Sequence, residues 1–403
     1  MESNMGQNYS TWKVFAMGFI AGILFAVMIF IGLGIYDQQV RWEGQLSPNR
    51  KITEIYSMIN RHSILPFDKN EMIENMYRGF LAGVGDPYTQ YFDLNALAAF
   101  HVRTEGTFVG IGVRVVMDPV DHMLTLVNVF RDAPAGQAGL LPGDKIIAVD
   151  GIDVIGRSQP EIMGLIAGEE GTPVNIEIFR PYENERFKVD IIRAQVIVPT
   201  VFHEMLETEE ARIGYVRIEA FERPTEAQFT AAIEELLAKG MERLIIDVRN
   251  NPGGLLDVVV DITNRLVPQG IITYLERACG SRDNHYSNDT YLGIPMVVLI
   301  NERSASASEV LSGAVQDMGT GLLVGEQTFG KGIVQNLYYL SDGTAIKLTV
   351  AKYFTPNGSS IHGIGLAPDF NVEMEEALSR LIGELPLEED VQLQVAIRVV
   401  LAQ

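Results

Sequence analysis

Apolar positions along the chain fall into four spacing regimes, and each marks a different kind of element. From Val14 to Tyr36 no residue is charged, and as a helix this run is long enough to cross a bilayer core of about 30 Å. A buried globular helix would carry a polar face. A cleaved leader would have an apolar stretch of about 7–15 residues before a small-residue cleavage site, and Gly32-Leu33-Gly34 is a weak match to one. The run is therefore read as an uncleaved membrane anchor. Lys13 precedes it, while Arg41, Arg50 and Lys51 follow, so the charge rule leaves its orientation open. From Asn49 to about Phe100 the period is helical: Ile52, Ile55, Tyr56 and Ile59 share one face, Met72, Met76 and Phe80 another, and Gly85-Asp86-Pro87 stops the second helix.

Between Phe108 and about Val196 the period falls to two and turns crowd together, which predicts a small β-rich unit. After Arg212, strand-like runs (IGYVRI, RLIIDV, IPMVVLI, GLLVG, AIKLTV) alternate with helical ones (EAQFTAAIEELLAKG, LLDVVVDITNRLV, SASEVLSGAVQDMG), an α/β pattern. The expected organisation is a head over 1–13, an anchor over 14–36, a helical region over 37–100, a β-rich unit over 101–195 and an α/β unit with a helical tail over 196–403. Within that tail, Glu388-Glu389-Asp390 reads as a solvated acidic face.

Composition removes several function classes. The 403 residues carry 31 Lys and Arg against 52 Asp and Glu, a formal charge of −21 that opposes nucleic acid and anionic lipid surfaces. A lone cysteine, Cys279, closes no intrachain disulfide. The six histidines lack the close spacing of a metal site, so neither metal nor cofactor is expected.

Three junctions at predicted strand ends carry candidate chemistry, because open α/β sheets bind ligands there. In RLIIDVRNNPGG, Gly253 and Gly254 precede a helix and could present N–H donors to an oxyanion, or simply make a tight turn. In IPMVVLINERSASASEVLSGAV, Ser304, Ser306 and Ser308 open a helix. Ser306-x-x-Glu309 fits a capping box, but a serine at a helix N-terminus also lies beside free N–H groups, and the pattern does not choose among the three. In FGKGIVQNLYYL, period two puts Lys331, Ile333 and Gln335 on one strand face. A surface lysine would snorkel; a buried one loses charge, and its neutral amine could take a proton from a serine, with Gln335 holding it by a hydrogen bond.

The β-rich unit resembles a PDZ domain, on FVGIGVRV and on APAGQAGLLPGDKIIAVDGIDV (Ala133–Val154). This implies that Gly110, Ile111, Gly112 and Val113 point N–H groups at the carboxylate of a peptide that adds as a strand. The whole chain after the anchor resembles the C-terminal processing peptidases, the tail-specific serine proteases of family S41. The motifs are GDPYTQYF (85–92), the inserted PDZ unit, DVRNNPGG (247–254), SASASE, FGKGIVQ and GIGLAPD (363–369), in the family's order. The resemblance implies a crotonase-like α/β core, Ser306 as nucleophile, Lys331 as general base, Gln335 in support, and an oxyanion hole from N–H groups of Ala307 and of Gly253-Gly254. It also implies protein or peptide substrates with free C-termini, a helical N-terminal part that often dimerises, and a protease on the extracytoplasmic side of a cell membrane.

The alternative from another class is a membrane-tethered PDZ scaffold with an inert protease fold. A trypsin-like PDZ protease would need His and Asp before a Gly-Asn-Ser-Gly-Gly motif, which is absent. Residues 301–365 carry four basic and five acidic residues, whereas 366–403 carry two and eight. This distribution predicts that carboxylates, which would keep Lys331 protonated, are held away from it, and that acidic tails are poor substrates.

Overall fold

The computed structural model describes residues 17, 27–28, 48–288 and 290–403. The head and, but for three residues, the apolar run 14–36 lie outside the described residues. Among those described, no helix is long and apolar enough to cross a membrane.

Helix α1 (Pro48–His62) buries none of its residues. Tyr56 meets Phe67 edge-on at 6.4 Å, with the Lys69 amine 5.4 Å from its ring. Helix α2 (Lys69–Ala82) ends where Gly85 takes φ +77° before Asp86-Pro87. The helical pattern to Phe100 is then interrupted. Gln90–Phe92 forms a short strand, β1, before α3 (Leu94–Glu105), which is capped by Asp93. A three-residue strand is invisible to periodicity and exists only because it has a distant partner.

Strand β2 (Thr107–Gly110) leads into β3 (Val113–Met117), β4 (Leu124–Val129), α4 (Pro134–Gln137), β5 (Lys145–Val149), β6 (Ile152–Asp153), α5 (Gln159–Ile166), β7 (Pro173–Arg180), β8 (Glu185–Ile192) and β9 (Ala194–Ile197). The sheet order is β3-β4-β5-β7-β8, with β6 on β5, and β2 pairs antiparallel with β9 where the chain enters and leaves the unit. Alternation sends Leu124, Leu126, Ile146, Ile176 and Ile178 inward against Ile162 and Ile166 of α5. The Asp150-Gly151 turn has φ +48° and +77°, as a two-residue hairpin demands.

The remaining elements are β10 (Val201–Glu207), β11 (Arg212–Ile218), α6 (Thr225–Ala238), β12 (Arg243–Asp247), α7 (Leu256–Asn264), β13 (Gly270–Arg277), β14 (Arg282–Ser287), β15 (Met296–Ile300), α8 (Ala307–Asp317), β16 (Gly321–Gly325), β17 (Ile333–Tyr339), β18 (Ala345–Phe354), β19 (Phe370–Asn371), α9 (Glu376–Ser379) and α10 (Val391–Leu401). A six-stranded sheet runs β10-β11-β12-β15-β16-β19, parallel from β11 onward. Its two faces are covered: Val216, Ile246 and Val298 pack with residues of α6, α7 and α8, while Tyr215, Ile245 and Val297 pack with α10. Burial on both faces explains why β15 (MVVLI) is apolar throughout. An antiparallel sheet, β1-β18-β13-β14 with β17 on β18, completes this part.

One tail expectation is corrected. Glu388 and Glu389 are exposed, but Asp390 is buried, caps α10 through Leu393 N–H and meets Arg249 at 2.7 Å. Acidity along the sequence did not reveal that the third acid has a buried cation waiting for it.

Candidate active site

Strands β12 and β15 are parallel neighbours with Asp247 opposite Leu299, so the loops that follow them, 248–255 and 301–306, emerge side by side at one sheet edge. Hydrogen bonds bind these loops together. Asn251 O accepts the Ala305 N–H (3.0 Å) and the Ser308 hydroxyl (2.9 Å), the Asn251 amide donates to Ile218 O (2.8 Å), and Asn301 Oδ1 accepts Asn250 N–H (2.9 Å). Below them Arg249 is fully buried, held by Asp247 at 2.6 Å and Asp390 at 2.7 Å, with Tyr215 donating to Asp247.

This packing separates the three serines. Ser304 is buried and its hydroxyl donates to Val248 O (2.8 Å); Ser308 is buried and bound to Asn251 O. Ser306 is only half-buried; it stands in a capping-box arrangement with Glu309, but among the described residues its hydroxyl donates to no acceptor. Its backbone sits at φ +57°, ψ −113°, a strained conformation for a residue with a Cβ, of the kind that surrounding contacts must enforce at functional positions. Gly253 makes room beside it: a Cβ there would lie 2.7 Å from Ser306 Cβ and 2.9 Å from Ala307 N.

The oxyanion expectation changes in one member. Gly253 N–H already donates to Asn251 Oδ1 at 2.8 Å, an Asx turn that closes the loop. Among the described residues, no hydrogen bond occupies the N–H of Gly254 or of Ala307.

Lys331 is half-buried, its amine 4.9 Å from the Tyr88 ring centroid. Burial pushes that amine below the ordinary lysine value. Arg103 adds to the shift, and Asp86 and Glu309 oppose it. Carboxylates are thus not held away from Lys331 as the charge distribution suggested; burial outweighs them. GDPYTQYF gains a local meaning here, since Tyr88 and Asp86 both belong to it. A second half-buried lysine, Lys347, is displaced in the same direction by burial and then by Lys331.

Gln335 does not hold the amine. Lys331 precedes β17, which begins at Ile333, so strand alternation does not put the two side chains on one face, and the Gln335 amide donates instead to Ile333 O at 3.4 Å. Among the described residues no hydrogen bond joins Gln335 to Lys331.

Two residues that sequence reasoning did not assign to the site connect its halves. The buried Glu309 carboxylate accepts the backbone N–H groups of Ser306 (2.8 Å) and Lys331 (2.9 Å), and the Tyr353 hydroxyl lies 2.9 Å from Ser306 O and 2.5 Å from Lys331 O. The capping-box spacing could have flagged Glu309; nothing local flags Tyr353. The GIGLAPD loop supports the lysine segment through Leu366 N–H to Thr328 Oγ1 (2.7 Å) and Gly363 N–H to Gly330 O (2.8 Å).

In the β-rich unit, Gly110 closes β2 and Val113 opens β3. All four residues Gly110, Ile111, Gly112 and Val113 are buried. The carbonyls of Ile111 and Gly112 accept from Ala135 (2.8 Å) and Phe130 (3.0 Å). Gly112 has φ +82°, and a Cβ there would meet Ala133 Cβ at 2.1 Å. Strand β3 is an edge strand, with a free side for an added strand. The described residues contain no cluster of His, Cys, Asp or Glu able to hold a metal ion.

A covered α/β sheet with a strained serine at a strand-to-helix junction, joined to a half-buried lysine and carrying a PDZ unit, defines a serine-type peptidase class. Residues 212–372 match the model of peptidase family S41, and residues 127–180 match that of a PDZ domain. The carboxy-terminal processing protease CtpB of Bacillus subtilis (strain 168) is 34% identical over 348 residues, 86% of this chain and 72% of that protein. A carboxyl-terminal-processing protease of Synechocystis sp. is 33% identical over 334 residues, covering 82% and 78%. A solved S41 protease structure from Bacteroides fragilis NCTC 9343 superposes with a TM-score of 0.54 at 16% identity, covering 84% and 92%, and supports the fold. The chain belongs to peptidase family S41, among the carboxy-terminal processing serine proteases that carry a PDZ domain.

Proposed function

We propose that the chain is a membrane-anchored endopeptidase that captures free C-termini of polypeptides and cleaves them with Ser306 and Lys331. The observation that carries this reading is a Ser306 hydroxyl that donates to no acceptor among the described residues, on a strained backbone, next to the unoccupied Ala307 N–H and the Gly253-Gly254 turn and tied through Glu309 to the segment bearing Lys331. Neutral Lys331 takes the Ser306 proton, Oγ attacks the peptide carbonyl, and the Ala307 and Gly254 N–H groups receive the developing oxyanion. The protonated amine then returns a proton to the leaving nitrogen, and water repeats the sequence on the acyl-enzyme.

The base must be neutral to act, so the rate should rise with pH through the Lys331 ionisation, at a value below the ordinary ~10.4 of lysine. Protonation at low pH removes the base, so activity is lost as pH falls. Single-turnover cleavage measured from pH 5 to pH 10 checks this; a flat profile rules out a titrating lysine base.

Capture is assigned to the Gly110–Val113 loop and the free side of β3, where backbone N–H groups meet a carboxylate and the peptide extends the sheet. Amidating the C-terminus of a peptide substrate should raise KM while leaving kcat nearly unchanged. Equal KM for the free acid and the amide would remove the carboxylate from recognition.

The uncharged run 14–36 supports an uncleaved anchor, and the likeness to the carboxy-terminal processing proteases supports placing the PDZ and protease parts on the extracytoplasmic side of a cell membrane. The exposed Ile52, Ile55 and Ile64 support pairing with a second copy of the chain.

A further inference from the structure

Glu309 is completely buried in the first turn of α8. Its spacing from Ser306 suits a helix cap, and the Ser306 N–H does donate to Oε2 at 2.8 Å. A cap alone does not explain the burial, because a carboxylate serves that role at the surface without losing its hydration. The other partners of this carboxylate come from a different part of the chain. Lys331 N–H reaches Oε2 at 2.9 Å, Gly330 N–H reaches Oε1 at 2.8 Å, and the Thr328 hydroxyl donates to Oε1 at 2.6 Å. An ionised carboxylate is acceptor-only with about four lone-pair sites, so these four donors fill it.

Tyr353 complements this arrangement. Its buried hydroxyl carries one proton and lies against the carbonyls of Ser306 and Lys331, the residues whose N–H groups share Oε2. For both residues, therefore, the N–H is held by Glu309 and the C=O lies against Tyr353.

We propose that Glu309 and Tyr353 are positioning residues that set the separation of the Ser306 hydroxyl and the Lys331 amine by locking the two backbones to each other. This rests on the Ser306–Lys331 reading above. Glu309 has a second, opposing effect: its charge favours the protonated form of Lys331, so the same group that aligns the base also holds back its deprotonation.

The two effects separate in the variants. Glu309→Gln is nearly isosteric but turns an NH2 group toward N–H donors. It should lower kcat by about 10²-fold, the cost of a displacement near 1 Å, with KM unchanged. At the same time the acid limb of its pH–rate profile should move to lower pH, because the charge that favoured protonated Lys331 is gone. Glu309→Asp keeps the charge but loses reach, so kcat falls with the limb in place. Tyr353→Phe removes one oxygen and no charge, and likewise lowers kcat without moving the limb.

Rates are taken per folded molecule from urea-unfolding controls, with Ser306→Ala alongside. If Glu309→Gln retains kcat and limb while Ser306→Ala is inert, the positioning role is wrong and the serine assignment stands. Hydrolysis by Ser306→Ala would remove the serine assignment itself. Should Glu309→Gln not fold, the Tyr353→Phe rate per folded molecule decides: a wild-type kcat overturns the proposal.

Discussion

Ser306→Ala is expected to lower kcat on an unfolded protein such as casein by roughly 10⁴-fold or more, because members of a nucleophile–base unit fail together when either is removed. Lys331→Ala should fall to the same level, and the double variant no further. Lys331→Arg is the sharper control: guanidinium keeps the charge and much of the length but does not deprotonate in proteins, so it should be as inactive as alanine. Neither site is a major source of folding energy. Ser306 is half-buried with a hydroxyl that donates to no acceptor among the described residues, and among them the Lys331 amine faces a ring and makes no ion pair. The urea midpoints should therefore stay near that of the parent protein. Casein cleavage by both alanine variants at the parental rate would remove the assignment, and failure of the parent protein to cleave casein would favour the inert PDZ scaffold.

Arg249→Met is expected to destabilise the protease part by about 3–5 kcal/mol, the range for breaking a buried ion pair from one side. The guanidinium is fully enclosed and shares five N–H donors among Asp247, Asp390 and Gln392. Removing it leaves two buried carboxylates facing each other without a cation. The activity should fall as well, since Arg249 lies in the loop whose Asn250 and Asn251 hold the serine segment through Asn301, Ala305 and Ser308. The asymmetry of buried pairs supplies a check: replacing Asp247, Arg249 and Asp390 together by Asn, Met and Leu should return much of the lost stability. A single Arg249→Met variant with an unmoved urea midpoint would show that the network contributes little.

Much of the architecture was legible from spacing. The strands β11, β12, β15, β16 and β18 and the helices α6, α7 and α8 lie where apolar period placed them, because burial on one or both faces of an element imposes that period. The Asp150-Gly151 turn and the stop at Gly85 follow from residues that tolerate positive φ. Short elements were lost: β1 has three residues and is held by β18, more than two hundred positions away along the chain.

The site divides along the same line. Residue type and order sufficed to place a serine-bearing helix start, a glycine turn and a glycine-flanked lysine at strand ends, since turn chemistry and strand period are local. Which serine hydroxyl stays free came only with folding: Ser304 and Ser308 are spent on carbonyls of Val248 and Asn251. The same holds for the Gly253 N–H closed onto Asn251, for the Gln335 amide turned to Ile333 O, and for Asp390 drawn inward by Arg249. In each case a polar group could meet several partners of equal chemical merit. Burial then requires that it find one, and chain closure over tens to hundreds of residues selects which.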